Sequence, residues 1–115
     1  MRGSHFPDDE NGRVLRAIAE QGVDLTIPRD VEFAHLFPGE TEAGAFARQA
    51  ASLGYRTEIY EPDEEALEEG VTDWDVICTR RMVPTHPEIS RTEAELAAIA
   101  QQCGGQEDGW GFLSD

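Results

Sequence analysis

Residues 31–37 read Val31-Glu32-Phe33-Ala34-His35-Leu36-Phe37, and they lie between Asp30 and the turn-forming pair Pro38-Gly39. β-Branched and aromatic residues alternate here with other residues, which is the pattern of a half-buried β-strand. Successive side chains of a strand point to opposite faces, so we expect one face to carry Val31, Phe33, His35 and Phe37. The segments on either side of this strand complete the fold.

Three segments with helical spacing accompany the strand. The first is predicted over about residues 10–21, where Gly22 supplies a stop. The second opens near Thr41 and closes at Gly54. The third opens with the capping box Thr85-His86-Pro87-Glu88 and closes at Gly104-Gly105. Their apolar stripes are Val14, Leu15, Ile18 and Ala19 in the first, Ala43, Phe46, Ala47, Ala50 and Leu53 in the second, and Ile89, Leu96, Ile99, Ala100 and Cys103 in the third.

Three further strands are predicted over residues 55–60, 74–83 and 106–112. After the leading helix the order is therefore strand, helix, strand, strand, helix, strand. This order predicts an α+β fold of the ferredoxin-like, split βαβ type. Two helices would pack on one face of a four-stranded antiparallel sheet, with an extra N-terminal helix. The other face of the sheet would stay open, and such a face carries polar residues or meets a partner.

Composition limits the classes of function. The 115 residues include 24 acidic and nine basic residues, and the formal net charge is −15. A chain so acidic is repelled by nucleic-acid phosphates and by anionic membranes, whereas a basic protein is its electrostatic complement. No apolar run approaches the length of a membrane span, and the N-terminus lacks the apolar region of a signal peptide. We therefore expect a cytoplasmic protein in which residues 8–115 form one domain, and residues 1–7 are a disordered N-terminus or an expression-tag remnant.

The segment from residue 61 to residue 75 has the most unusual composition, because eight of its fifteen residues are acidic and none is basic. A solvated loop or a short helical turn between two strands would explain it. Alternatively, the segment forms an electronegative patch that steers a partner rich in arginine and lysine and speeds association more than it tightens binding. The segment lacks the ligand spacing and central glycine of an EF-hand. The candidate partner-binding residues are Glu61, Asp63, Glu64, Glu65, Glu68, Glu69, Asp73 and Asp75.

Signatures of catalysis or of a bound cofactor are missing from the sequence. His35, His86, Cys78 and Cys103 match no metal-ligand spacing, so we interpret them as structural residues, with both cysteines buried and reduced. The chain has no nucleophile elbow and no glycine-rich phosphate loop. Aromatic residues that could stack RNA bases on the open sheet are available, but the negative net charge of the chain opposes RNA binding. These residues are Tyr55, Tyr60, Trp74 and Trp110. The sequence thus predicts no enzyme, no cofactor, no metal site and no direct nucleic-acid binding.

Two further features have structural explanations. Arg80 and Arg81 are neighbours within a strand, so one of them must point to the open face, where a salt bridge to an acid on an adjacent strand, such as Glu58, would hold it. Trp110 lies between Gly109 and Gly111, which indicates a large ring packed where the flanking backbone bends.

Short motifs are spread in a fixed order over about residues 9–111. They are Asp9-Glu10-Asn11-Gly12-Arg13-Val14-Leu15, Pro28-Arg29-Asp30-Val31-Glu32-Phe33, Phe37-Pro38, Gly54-Tyr55, Arg81-Met82-Val83-Pro84-Thr85-His86, and Gly104-Gly105 followed by Asp108-Gly109-Trp110. In this order they resemble the family of regulator of ribonuclease E activity B (RraB), small bacterial proteins that inhibit an endoribonuclease by binding it. The resemblance implies a ferredoxin-like domain with an extra N-terminal helix, no enzymatic activity, and inhibition by protein–protein contact.

The leading hypothesis is therefore a non-enzymatic inhibitor or modulator of a ribonuclease E-type enzyme, as the resemblance implies. The acidic segment, together with Asp8, Asp9 and Glu10, would meet the basic scaffold region of that partner. Two alternatives remain open. One is a ferredoxin-like module that senses a small ligand or a metal, and the other is a homo-oligomer whose open sheet pairs with its own copy. The sequence leaves open whether the open face or the acidic segment is the contact surface, and whether the protein is a monomer or a weak homo-oligomer.

Overall fold

The computed structural model describes residues 10–112 and confirms an α+β fold with one open, four-stranded antiparallel sheet. In chain order the elements are α1 (Glu10–Glu20), β1 (Arg29–Phe37), α2 (Glu40–Ser52), β2 (Arg56–Tyr60), α3 (Glu64–Glu68), β3 (Trp74–Met82), α4 (His86–Gln102) and β4 (Gln106–Phe112). All four predicted strands and the three predicted helices are confirmed. The short helix α3 is the helical turn considered for the acidic segment. The expectations for residues 1–7, Asp8 and Asp9 lie outside the described residues.

The strands are ordered β2-β3-β1-β4, so β1 and β3 are central and β2 and β4 are the edges. Directly paired residues share a face of the sheet. Phe33 pairs with Cys78 and Val31 with Arg80, whereas Glu32 pairs with Thr79 and Leu36 with Asp75. The first two pairs belong to the face that we call the core face, and the last two to the face that we call the outer face.

Residues of β1 alternate as the sequence predicts. Val31, Phe33, His35 and Phe37 are all buried on the core face, and the residues between them are half-buried on the outer face. Val31, Phe33 and Phe37 belong to a hydrophobic cluster. This cluster also contains Phe46 of α2 and Leu96 of α4. Leu53, predicted to lie on the buried stripe of α2, is instead 47% exposed, because α2 ends at Ser52 before its spacing reaches that position.

Helix α4 begins as its capping box predicts. Oγ1 of Thr85 accepts a hydrogen bond from the backbone N–H of Glu88 at 3.3 Å, and a proline lies in the first turn. Ile89, Leu96 and Ala100 are fully buried, while Ile99 and Cys103 are partly buried against the same cluster. The helix thus delivers one apolar stripe to the core before the chain turns at Gly104 into β4.

Trp110 is packed structurally, as predicted, and also makes a hydrogen bond. Its Nε1 donates to Oδ1 of Asn11 at 2.9 Å, while Nδ2 of Asn11 donates to Oε1 of Glu93 at 2.9 Å and to Oγ of Ser90 at 3.1 Å. Asn11 therefore joins α1, α4 and β4. No pattern in the sequence pointed to this role, because the partners are about eighty or more residues away along the chain.

The helices of the described residues include no candidate membrane span; the longest of them, α4, has 17 residues.

Candidate protein-binding site

The acidic segment, residues 61–75, begins where β2 ends. Pro62 cannot continue a hydrogen-bonded strand, and Oδ1 of Asp63 caps α3 by accepting a hydrogen bond from the backbone N–H of Ala66 at 2.8 Å. Glu64 and Glu65 occupy the first turn of α3, where the helix dipole favours negative charge. The local sequence therefore explains how a run of carboxylates can form an ordered turn.

All eight candidate carboxylates of this segment are exposed. Within residues 10–112, none of them forms a salt bridge with an arginine. The pKa of Asp75 is raised, first by desolvation and then by the neighbouring carboxylates of Asp108 and Asp73. The acidic segment is thus a concentration of negative charge that no arginine of the described residues neutralises by a salt bridge.

The arginines pair at other places. Arg81 and Arg56 both contact the carboxylate of Asp30 at 3.4 Å, so the prediction of a salt bridge to an adjacent strand is correct, but the suggested partner Glu58 is wrong. The register explains this, because Arg81 lies directly opposite Asp30 on β1. Oε2 of Glu58 instead accepts a hydrogen bond from the hydroxyl of Tyr60 at 3.0 Å. Arg80 points to the core face, where it donates to the hydroxyl of Tyr55 at 3.1 Å.

A groove of about 550 Å³ joins the outer face of the sheet to the acidic segment. Its apolar lining comes from Leu36 and Tyr60 on the sheet and from Ala66 and Val71 on the segment. We call it the outer groove, and its complete lining is Leu36, Tyr60, Glu61, Pro62, Asp63, Ala66, Val71, Asp73 and Asp75. The open face and the acidic segment, which the sequence presented as alternative contact surfaces, are therefore parts of one surface.

Exposed apolar side chains concentrate along β2 and the acidic segment. Of seven large apolar side chains that are markedly exposed within the described residues, four lie between residues 59 and 71, namely Ile59, Tyr60, Leu67 and Val71. Exposed apolar groups rimmed by charge are typical of protein-interaction surfaces. A loop that only needed to be solvated would not require them.

A second cleft, of about 620 Å³, lies on the other side of β2. We call it the α2 cleft, and its lining is Glu40, Thr41, Gly44, Arg48, Ile59 and Trp74. Ile59 and Trp74 face the core side of the sheet, since Ile59 pairs with the buried Val76. Neighbouring residues of β2 thus line different clefts, Ile59 the α2 cleft and Tyr60 the outer groove.

The histidine and cysteine side chains do not assemble into a metal site within the described residues. Cys78 is buried, and desolvation raises its pKa to about 12, so its thiol is a poor nucleophile at neutral pH. Cys103 is free but half-buried, not buried as predicted, because it lies at the C-terminal cap of α4. The ring of His35 lies against Phe46, with centroids 4.7 Å apart, and its Nδ1 has no hydrogen-bond partner among residues 10–112.

The aromatic residues considered for RNA stacking do not share one face. Tyr60 lies on the outer face, whereas Tyr55 is buried and Trp74 and Trp110 pack against the core. A row of exposed rings on an open sheet, on which bases stack in RNA-recognition domains, is therefore not formed by these four side chains.

A family model described as "Regulator of ribonuclease activity B" (RraB) matches residues 8–112, which is nearly the whole chain. The match includes all eight strands and helices and the complete lining of both clefts. No curated protein sequence matches the chain.

Proposed function

The chain belongs to the family of regulators of ribonuclease activity, and from this premise we propose that it is a non-enzymatic inhibitor of a ribonuclease E-type endoribonuclease. It binds that enzyme through the outer groove and the carboxylates of the acidic segment, which meet a basic region of the partner. Binding of this kind regulates RNA degradation in the cytoplasm without a catalytic residue or a cofactor on this chain.

The observation that carries the proposal is a set of eight exposed carboxylates, none of them in a salt bridge with an arginine of residues 10–112, four of which line a groove that also has apolar walls. Charge alone attracts a basic chain over about 8 Å, the Debye length at physiological salt, but holds it weakly, because each exposed ion pair contributes only about 1 kcal/mol or less. Apolar side chains in the groove supply the short-range contact area that a stable complex needs. The two features together favour a protein partner over a small solute.

We also assign the fold to the ferredoxin-like class. Support comes from the strand order β4-β1-β3-β2 and from the order of elements after α1, which matches the split βαβ pattern once the short α3 is set aside. Such folds serve many functions, so this assignment adds nothing to the choice of partner.

Binding of the purified chain to the host ribonuclease tests the proposal directly. We expect association in ~50 mM NaCl that slows by about tenfold or more in ~500 mM NaCl, because steering by exposed charge is screened. Inhibition of cleavage of a model RNA should follow the same salt dependence. Absence of binding in low salt would remove the proposal.

Removing two negative charges from α3 tests whether the acidic segment contacts the ribonuclease. The variant Glu64→Gln/Glu65→Gln should associate several-fold more slowly, with little change in the dissociation rate. Its matched control is Glu20→Gln/Glu107→Gln, which removes the same two charges from exposed positions outside the segment. Equal slowing in both double variants would show that net charge matters and the acidic segment does not.

A further inference from the structure

The two edges of the sheet differ in how well they are protected. Edge strands expose backbone N–H and C=O groups that can pair with another chain, and proteins commonly protect them with bulges. On β4, Asp108 and Gly109 together lie opposite Ala34, which is a bulge, and Gly109 has a φ of +101°. Trp110 of the same strand is held by Asn11 of α1. The β4 edge is therefore twisted and partly occupied.

Strand β2 has no such protection. It pairs with β3 over five consecutive residues without a register shift, and no other described strand pairs with it. It contains neither glycine nor proline, and four of its five residues are exposed. Its length is typical of strands in globular proteins. A second strand could therefore add to this edge along its whole length.

The clefts beside β2 match the geometry of an added strand. Side chains of an extended segment point alternately to the two faces of a sheet, with those on one face about 7 Å apart. Ile59 lines the α2 cleft on one face and Tyr60 the outer groove on the other. Alternate side chains of a strand paired with β2 would enter these two clefts.

We propose that the partner binds by adding an extended segment to the β2 edge, a segment in which basic and apolar residues alternate. Basic side chains enter the outer groove, where Glu61, Asp73 and Asp75 receive them. Apolar side chains enter the α2 cleft and pack on Ile59 and Trp74, since the opposite charges of Glu40 and Arg48 in that cleft offset each other and leave it without the excess of carboxylates found in the outer groove. This docking mode rests on the proposed function and specifies how the basic partner region is recognised.

Charge selects the occupant of this edge. A second copy of the chain would bring another net charge of −15 and another acidic segment next to the first. Like charges opposite each other on paired strands are unfavourable, whereas a basic segment removes this repulsion. The edge therefore suits a basic partner better than a second copy of the chain.

Synthetic peptides test the docking mode without the ribonuclease. The probe is a capped eight-residue peptide that alternates arginine and valine, and its matched control has the same sequence with every backbone nitrogen methylated. Charge and side chains are identical, but the control has no backbone N–H to donate to β2 from either of its edges. We expect the probe to bind about tenfold or more tightly than the control in calorimetry, because main-chain hydrogen bonds supply affinity in strand addition. Cross-strand contacts between probe and β2 should appear in nuclear Overhauser spectra.

Variants of the protein provide the second readout. Ile59→Ser should weaken probe binding several-fold, because it removes the apolar wall of the α2 cleft. Ile27→Ser is the matched control, since Ile27 is 47% exposed, close to the 43% of Ile59, and lines neither cleft. The control variant should bind the probe as the unchanged protein does.

The outcomes separate this inference from the proposed function. Equal binding of probe and methylated control would overturn strand addition, while salt-dependent ribonuclease binding could still stand. Binding of neither peptide would overturn it as well. A stable dimer of the free protein that the probe dissociates would mean that a second copy occupies the β2 edge, which also overturns the choice of partner. Loss of ribonuclease inhibition is a separate measurement and decides only the proposed function.

Discussion

Gly105 shows how tightly β4 approaches β1. A Cβ atom at this position would overlap the ring of Phe37 and lie 2.6 Å from the carbonyl oxygen of Leu36. We expect Gly105→Ala to destabilise the protein by about 1–3 kcal/mol, because both the backbone and a buried ring would have to move. Gly111→Ala, within β4, is the matched control, since a Cβ there would have no neighbour among residues 10–112 within 4 Å. Urea unfolding of both variants measures the difference, and equal stabilities would contradict the close approach.

His35 makes stability depend on pH. Its pKa is lowered from 6.5 to about 4, because it is desolvated by burial. This effect outweighs the hydrogen bonds to nearby backbone and the charge of Asp108, both of which raise the pKa. The unfolded chain therefore takes up a proton near pH 6.5 and the folded chain does not, so stability falls as the pH drops below 6.5. By about pH 5 the loss from this side chain is about 2 kcal/mol.

The variant His35→Phe isolates this effect, because every other ionisable side chain is the same in both proteins. The difference in unfolding free energy between the two proteins should change between about pH 7 and about pH 5, with the variant losing less stability. Parallel stability curves over this range would mean that His35 titrates at its ordinary pKa in the folded chain.

At the scale of elements, the side chain of Asn11 ties α1 to both α4 and β4. Asn11 accepts a hydrogen bond from Trp110 and donates to Ser90 and Glu93. The variant Asn11→Ala therefore leaves these three half-buried groups without this hydrogen-bond partner. We expect a loss of about 1–3 kcal/mol and faster amide exchange in residues 10–20, with the exchange of β1 unchanged. Asn11→Asp keeps the acceptor for Trp110 but places a charge beside Glu93, and it should release α1 as well. Unchanged exchange in both variants would show that the hydrogen bonds of Asn11 do not hold α1 in place.

The elements also show what the sequence could predict. The alternation from Val31 to Phe37 and the capping box at Thr85 are local signals, and both gave the correct element and the correct buried face. Leu53 was misplaced because helix ends are set by a few competing hydrogen bonds. Arg81 was assigned the wrong partner because the choice between Glu58 and Asp30 depends on strand register. The outer groove was missed for the same reason, since Leu36 and Tyr60 meet Val71 only after three distant segments fold together.

Over the whole molecule, opposite charges lie at opposite ends of the sheet. Arg56 and Arg81 flank Asp30 at one end, whereas Tyr60, Asp75 and the acidic segment lie at the other. The charge is therefore distributed unevenly along the sheet, which gives the protein an electric dipole as well as a net charge. A basic partner approaching from solution is drawn to the end that carries the outer groove, and the arginine end disfavours the reverse orientation.

The same crowding of carboxylates has a cost in stability. Eight carboxylates within fifteen residues repel one another in the folded state, and salt screens this repulsion. We expect the unfolding midpoint to rise by about 5 °C between ~20 mM and ~500 mM NaCl, while association with the ribonuclease slows over the same range. The variant in which Glu64, Glu65, Glu68 and Glu69 are all changed to Gln should unfold at a higher temperature in low salt and respond less to salt. Thermal scans monitored by circular dichroism measure both effects. A midpoint that falls with salt would mean that attractive pairs such as Arg81–Asp30 outweigh the repulsion within the acidic segment.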